Sequence, residues 1–228
     1  MNITNQKVTD YITQFYRPLN ASLAELRNQS EADGIPLILK ETEMLFRTIL
    51  PMRPYRRVLE IGTAYGYSSI FFANLMPECR ITTVELSDTN YQIAKDNVWE
   101  QGMEDRIDIV HGDGISVLDD MIQNGLSENE AFDLIFIDAA KSHYMDFFKR
   151  AEKLCSKDAV IICDNILMKA FLVDPTLDRK RRHRTSVKRM DDFLNYIFDR
   201  KDLEASLLSC GDGLLIIEEN SKKIDLQE

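Results

Sequence analysis

Arg57-Val-Leu-Glu-Ile-Gly-Thr-Ala-Tyr-Gly66 decides how the rest of the chain is read. A short β-rich run, Arg57–Ile61, passes directly into Gly-x-x-x-Gly and then into a helical pattern over Tyr67–Leu75. Strand, glycine loop and helix in that order let backbone approach a ligand closely at a helix N-terminus. On this reading Gly62 supplies the tight turn and Gly66 the close approach.

The same alternation continues outward. Apolar strand-like runs recur at Arg80–Glu85, Arg106–Val110, Phe132–Asp138 and Ala159–Asp164, separated by helical patterns at Thr89–Gln101, Ile115–Gln123 and Tyr144–Leu154. Strands alternating with helices predict an α/β, Rossmann-like doubly wound sheet with helices on both faces and right-handed crossovers. After about Arg200 the alternation stops. Leu203–Ser209 and Leu214–Glu218, joined by Cys210-Gly-Asp-Gly213, read as a hairpin that adds an antiparallel edge. Before Arg56 the pattern is helical, at Val8–Tyr16, Ala21–Ala32 and Lys40–Leu50. Residues 1–228 are thus read as one domain, with a helical segment over 1–50, a core over 55–219 and a polar tail, Ser221–Glu228, expected to fray.

Composition sets the class. The chain has 228 residues, 44% hydrophobic and 29% charged, enough for one substantial core. A net charge of −10 argues against a whole-surface polyanion binder and leaves room for a local basic patch. No two of Cys79, Cys155, Cys163 and Cys210 form a C-x-x-C pair, so reduced thiols are expected. Without an apolar leader at the start or a run of about 18 apolar residues, the expectation is a cytoplasmic protein with no membrane partner.

The strand ends carry the chemistry. Glu85 lies where a carboxylate accepts from both ribose hydroxyls of a nucleotide, and Asp113, in His111-Gly-Asp-Gly114, could border an adenine. A lone Gly-x-x-x-Gly would mean no more than a strand terminus; three strand ends bearing Gly, Glu and Gly-Asp-Gly in order are more specific. The loop lacks Gly-x-Gly-x-x-Gly, so a dinucleotide fits it less well. The fourth strand runs into Asp138-Ala-Ala-Lys141 and the fifth into Asp164-Asn165, on the same rim. Either aspartate alone could merely cap a helix. Together, two carboxylates and an amide carbonyl form a hard oxygen set suited to Mg²⁺, with Mn²⁺ or Ca²⁺ as alternatives. Such an ion can acidify one of two adjacent substrate oxygens, and the Lys141 amine can take the proton. His111, His143 and His183 show no ligand spacing and are read as structural or substrate-facing.

Glu60-Ile-Gly-Thr-Ala-Tyr-Gly-Tyr-Ser68, Glu85, Phe-Ile-Asp138-Ala-Ala-Lys141 and Asp164-Asn165 together resemble the metal-dependent O-methyltransferases, the group of the catechol and caffeoyl-CoA enzymes. The resemblance covers about Pro36 to Glu218. It implies a seven-stranded sheet with the last strand antiparallel, and often a homodimer. It implies S-adenosylmethionine bound by Gly62, Ser68 and Glu85, with Asp113 and Gly114 near the adenine and Asp138 near the methionine end. It further implies a metal on Asp138, Asp164 and Asn165, with Lys141 as catalytic base.

One stretch narrows the resemblance. Arg179-Lys-Arg-Arg-His-Arg-Thr-Ser-Val-Lys-Arg189 is similar to the bacterial branch that methylates 5-hydroxyuridine at the tRNA wobble position to 5-methoxyuridine. That implies the tRNA anticodon stem-loop as partner, with Arg181, Arg182 and Arg184 on the RNA. Seven Lys or Arg fall in this segment of an acidic chain, a cluster able to contact phosphates. The competing reading of the cluster is a solvated helix start, with Lys188 and Arg189 paired to Asp191 and Asp192. The competing functions are a small-molecule catechol-type O-methyltransferase, a catalytically silent binding module and, more distantly, a nicotinamide dehydrogenase.

Overall fold

The computed structural model describes residues 5–219, so the predicted fraying of Ser221–Glu228 lies outside the described residues. Seven strands form one sheet in the order β3-β2-β1-β4-β5-β7-β6. They are β1 (Arg57–Ile61), β2 (Arg80–Glu85), β3 (Ile107–His111), β4 (Phe132–Ile137), β5 (Cys155–Cys163), β6 (Leu203–Leu208) and β7 (Leu214–Glu219). The first five are mutually parallel and β7 is antiparallel to both of its neighbours. The hairpin expected as an antiparallel edge is present at that end of the sheet. Its last strand, β7, lies inside against β5, and β6 takes the edge. Burial decides this: β7 carries the buried Leu214, Leu215 and Ile217, whereas β6 is largely exposed.

Side chains alternate across the pleat into two cores. Val58, Leu134, Phe136, Val160 and Ile162 face one core, built on Phe46, Phe71 and Phe72. Leu59, Ile135, Ile137, Ile161 and Cys163 face the other, built on Phe148 and Phe193. Helices α4 (Tyr67–Leu75), α5 (Asp88–Glu100), α6 (Gly114–Asn124) and α7 (Tyr144–Leu154) fall within a residue of their predicted spans. Helix α8 (Arg184–Asp199) begins inside the basic run, as the competing reading of a helix start expects. Met190, Phe193, Leu194 and Ile197 are buried at helical spacing; Arg179–Arg182 precede this amphipathic helix, and Arg184, Lys188 and Arg189 lie exposed on its first turns.

The N-terminal helices are α1 (Gln6–Thr13), α2 (Ala21–Ala32) and α3 (Lys40–Ile49). Helix α1 ends three residues before the predicted Tyr16, whose hydroxyl instead donates to Glu43 at 2.9 Å. It leaves Val8, Tyr11, Ile12 and Phe15 exposed. Among the described residues no helix is long and apolar enough to cross a membrane.

One backbone device positions everything that follows. The residue after each strand adds one more rung to the ladder. Gly62 N–H donates to Val84 O, Asp138 N–H to Ile61 O and Asp164 N–H to Ile137 O, each at 3.0 Å. Gly62, Asp138 and Asp164 therefore stand in a row along the C-terminal rim, where open α/β sheets bind ligands.

Candidate active site

A cavity of about 740 Å³ opens over that rim. Gly62, Ser68, Glu85, Asp113, Gly114, Asp138, Lys141 and Asn165 all line it. Asp164 does not. It is fully buried beside the wall.

In the half formed by β1, β2 and β3 Gly62 makes the turn expected of it, at φ 105°, and takes the close approach as well. A Cβ on Gly62 would stand 2.1 Å from the Asp138 carbonyl oxygen, so Gly62 is the close approach, of one strand end to another. Gly66 adopts φ 80° at the start of α4 and a Cβ there would make only ordinary contact with Ala94, so Gly66 supplies the left-handed turn. The Glu85 carboxylate is held from both ends, accepting from Ala64 N–H and Ser87 N–H at 2.8 Å each. Each oxygen keeps a lone pair for a further donor from the cavity. Asp113 caps α6, accepting from Ser116 N–H at 3.0 Å. Gly114 is tightly packed, since a Cβ there would stand 3.0 Å from the Phe147 ring.

Sequence reasoning missed Glu60, although an acidic residue inside a buried parallel strand is itself a signal. It faces the core, in register with Thr83 on one side and Phe136 on the other. Its oxygens accept from the hydroxyls of Ser68, Ser69 and Thr83. Burial pushes its carboxyl from 4.5 up to about 7, against the pull of those hydroxyls. A carboxyl raised on folding contributes stability that is complete below its unfolded value and lost as pH climbs through about 7. At 1.36 kcal/mol per unit the swing is about 3 kcal/mol. The melting temperature of the parent should thus fall by several degrees relative to Glu60→Gln between about pH 5 and about pH 8. A gap that stays constant would show that Glu60 is already ionised at the lower pH.

In the half formed by β4 and β5, Lys141 Nζ donates to Asp138 Oδ1 at 3.2 Å and to Asn165 Oδ1 at 2.8 Å. One cationic group thus already bridges two of the three oxygens expected to share a metal. The third residue, Asp164, accepts from Asn165 N–H through Oδ1 at 2.7 Å, while its buried Oδ2 has no partner. Burial, and then Asp138, raise the Asp164 carboxyl, as expected where a second positive charge is called for. An orphaned buried carboxylate oxygen beside a carboxylate and an amide carbonyl fits a hard divalent cation. Tyr144, also missed, fixes this corner by donating to Asp164 O at 2.7 Å.

The chain then enters a strained turn. Asn165, Met168, Lys169 and Ala170 all have φ between 51° and 65°. Asparagine tolerates this region, but the other three cost about 1–2 kcal/mol each. Met168, Lys169 and Phe171 line the cavity, and Phe171 stacks on His183 with ring centroids 5.2 Å apart. His143 also lines the cavity, whereas His111 stacks on Tyr91 and faces Asp88.

Phe171 also lines a second cavity of about 760 Å³, whose wall includes Arg179, Arg181, Arg184 and Lys188 together with Asp178 and Asp191. Arg182 lines neither cavity and is exposed. Asp178 organises this corner. Its carboxylate accepts from Arg182 N–H and His183 N–H at 3.2 and 2.8 Å, and its carbonyl from Arg181 N–H at 2.8 Å. Among the described residues none of the seven cations forms an ion pair, so the alternative pairing of Lys188 and Arg189 with Asp191 and Asp192 is not observed. Arg189 donates instead to Ser142 O at 3.2 Å.

A family model described as O-methyltransferase matches residues 18–220. The O-methyltransferase imqG of Aspergillus flavus is 33% identical over 69% of this chain, and the match spans 65% of that protein. A catechol O-methyltransferase of Niastella koreensis is 26% identical over 74% of this chain and 76% of its own. Among solved structures, an O-methyltransferase of Bacillus cereus in complex with SAH superposes with a TM-score of 0.78. It is 27% identical, over 93% of this chain and 97% of that one.

Proposed function

This chain belongs to the O-methyltransferase family, and from that premise we propose that it methylates 5-hydroxyuridine at the wobble position of tRNA, using S-adenosylmethionine and a divalent cation. The observation that carries the tRNA reading is a run of seven cations, none in an ion pair among the described residues, four of which line a cavity that shares Phe171 with the catalytic one. A strongly acidic chain that leaves such a cluster out of ion pairs among the described residues has a surface suited to phosphates. Anticodon-loop bases are single-stranded and can be splayed into a pocket.

S-adenosylmethionine supplies an electrophilic methyl group when bound, a role supported by the SAH complex of the Bacillus cereus relative. Glu85 accepts from the ribose hydroxyls, Gly62 and Ser68 also hold the cofactor, Asp138 lies toward its methionine end, and Asp113 and Gly114 border the adenine. A divalent cation on Asp138, Asp164 and Asn165 would favour the ionised form of an acceptor oxygen. Lys141 takes the proton from the acceptor hydroxyl. That role belongs to its neutral amine form, which can donate to both Asp138 and Asn165 and still keep one lone pair. The buried walls formed by Ile38, Ile61 and Met168 exclude water around the reacting oxygen.

Incubation with tRNA from cells lacking the enzyme should yield 5-methoxyuridine, detected by nucleoside mass spectrometry. No transfer to that tRNA, with ready transfer to a catechol, would overturn the tRNA reading. It would favour a small-molecule acceptor, which the likeness to the Niastella koreensis enzyme supports. A second test isolates the phosphate contacts. Replacing Arg181, Arg182 and Arg184 together by alanine should reduce the slope of log affinity for tRNA against log salt by about 2, at roughly 0.7 per phosphate contact. An unchanged slope would mean that these three side chains do not reach the RNA backbone.

A further inference from the structure

Three consecutive residues that are not glycine, Met168, Lys169 and Ala170, hold left-handed backbone at the wall of the catalytic cavity. A free chain would not keep that conformation, so something outside the segment must impose it. The Cys210–Gly213 turn between β6 and β7 does so. The backbone of that turn accepts twice, at Asp212 O from Leu167 N–H and at Gly213 O from Ile166 N–H, each at 3.0 Å. Asp212 Oδ1 then accepts from Lys169 N–H at 2.5 Å, in the middle of the left-handed run. The two segments are pressed together, since a Cβ on Gly213 would lie 2.8 Å from Leu167 N.

We propose that Asp212 is a positioning residue whose carboxylate pins the left-handed Met168–Ala170 turn and thereby shapes the acceptor side of the cavity. Asn165, which accepts from Lys141, begins the pinned segment. Phe171, which stacks on His183 at the head of the basic helix, ends it. Gly62, Glu85 and Asp113 follow or close β1, β2 and β3, and among the described residues none of them is hydrogen-bonded to Asp212. The pin therefore acts on acceptor fit and not on cofactor affinity. The turnover part of this inference rests on the methyl-transfer reading; the backbone part does not.

Asp212→Ala and Asp212→Asn separate the possibilities, because the Asn carbonyl can accept the same N–H. Three measurements apply to each: hydrogen exchange over residues 166–171, SAH affinity by calorimetry, and transfer to undermodified tRNA and to 3,4-dihydroxybenzoate. Loss of the hydrogen bond in Asp212→Ala should speed exchange in that segment about tenfold and lower kcat/KM for the acceptor by about tenfold. SAH affinity should stay within about twofold, and Asp212→Asn should remain within about threefold of the parent throughout. Asp212→Ser, whose hydroxyl falls short of the Lys169 amide, replaces the alanine form if that form is insoluble. Unchanged exchange in Asp212→Ala overturns the pin. So does an Asp212→Asn form that is equally impaired while its exchange stays slow, which would assign the effect to the charge itself. A parallel fall in SAH affinity would mean a general structural role. If the parent methylates neither acceptor, the functional reading fails while the exchange data still decide the pin.

Discussion

Replacing Lys141 by alanine is expected to lower kcat by about 10²–10⁴-fold, the range for a positioned general base. SAH should bind with nearly unchanged affinity. The split follows from geometry. Lys141 touches Asp138 and Asn165, at the β4 and β5 end of the rim, whereas Glu85 and Asp113 sit at the β2 and β3 end. The Lys141 side chain is about a quarter exposed, so its pair with Asp138 contributes little to stability and the fold should tolerate its loss. Single-turnover rates with acceptor in excess, beside calorimetry with SAH, would separate the two effects. A variant that keeps more than about a tenth of the parent rate would show that another group takes the proton. Equal loss of SAH affinity would show instead that the lysine holds the Asp138 strand end in place.

Local patterns made the rim legible. Strands β1 and β2 and helices α4 and α7 coincide with the spans read from hydrophobic periodicity, because their burial is local and their ends carry Gly, Asp or Glu. Their convergence also followed from topology, since C-terminal ends of parallel neighbours must share one edge. What stayed hidden depends on partners far along the chain. Glu60 is held in part by Thr83, Lys169 by Asp212 and Arg27 by Glu43, and no window of sequence contains both members of such a pair. Helix α8 was legible only as an alternative. It begins inside the basic run, and its buried stripe begins only at Met190. Spacing also could not show which of Arg181, Arg182 and Arg184 would line a cavity, because the backbone of Arg181–His183 is fixed by hydrogen bonds to Asp178 and not by a regular element.

Removing Glu43 is expected to cost about 3–5 kcal/mol of stability, the range for leaving one partner of a buried ion pair alone. Glu43 is fully buried and accepts from Arg27 at 2.6 Å, Tyr67 at 2.6 Å and Tyr16 at 2.9 Å, so one carboxylate ties α2, α3 and α4 together. In Glu43→Ala the Arg27 guanidinium, 4% exposed, would keep only Ile38 O, Tyr67 and the partly exposed Glu31. Urea denaturation should show the loss as a lower midpoint at constant slope. The melting temperature should fall by roughly 10 °C, at about 2–4 °C per kcal/mol. Arg27→Met with Glu43→Leu should recover part of the loss, because no charge is then stranded. Recovery stays incomplete because the Tyr16 and Tyr67 hydroxyls lose their acceptor. The consequence reaches the cavity, since Ile38, whose carbonyl Arg27 holds, and Tyr67, beside Ser68, both line it. SAH affinity should therefore fall with stability in Glu43→Ala, unlike in Lys141→Ala. A loss below about 1 kcal/mol would mean that water reaches the guanidinium, and that the N-terminal helices are held by their apolar contacts alone.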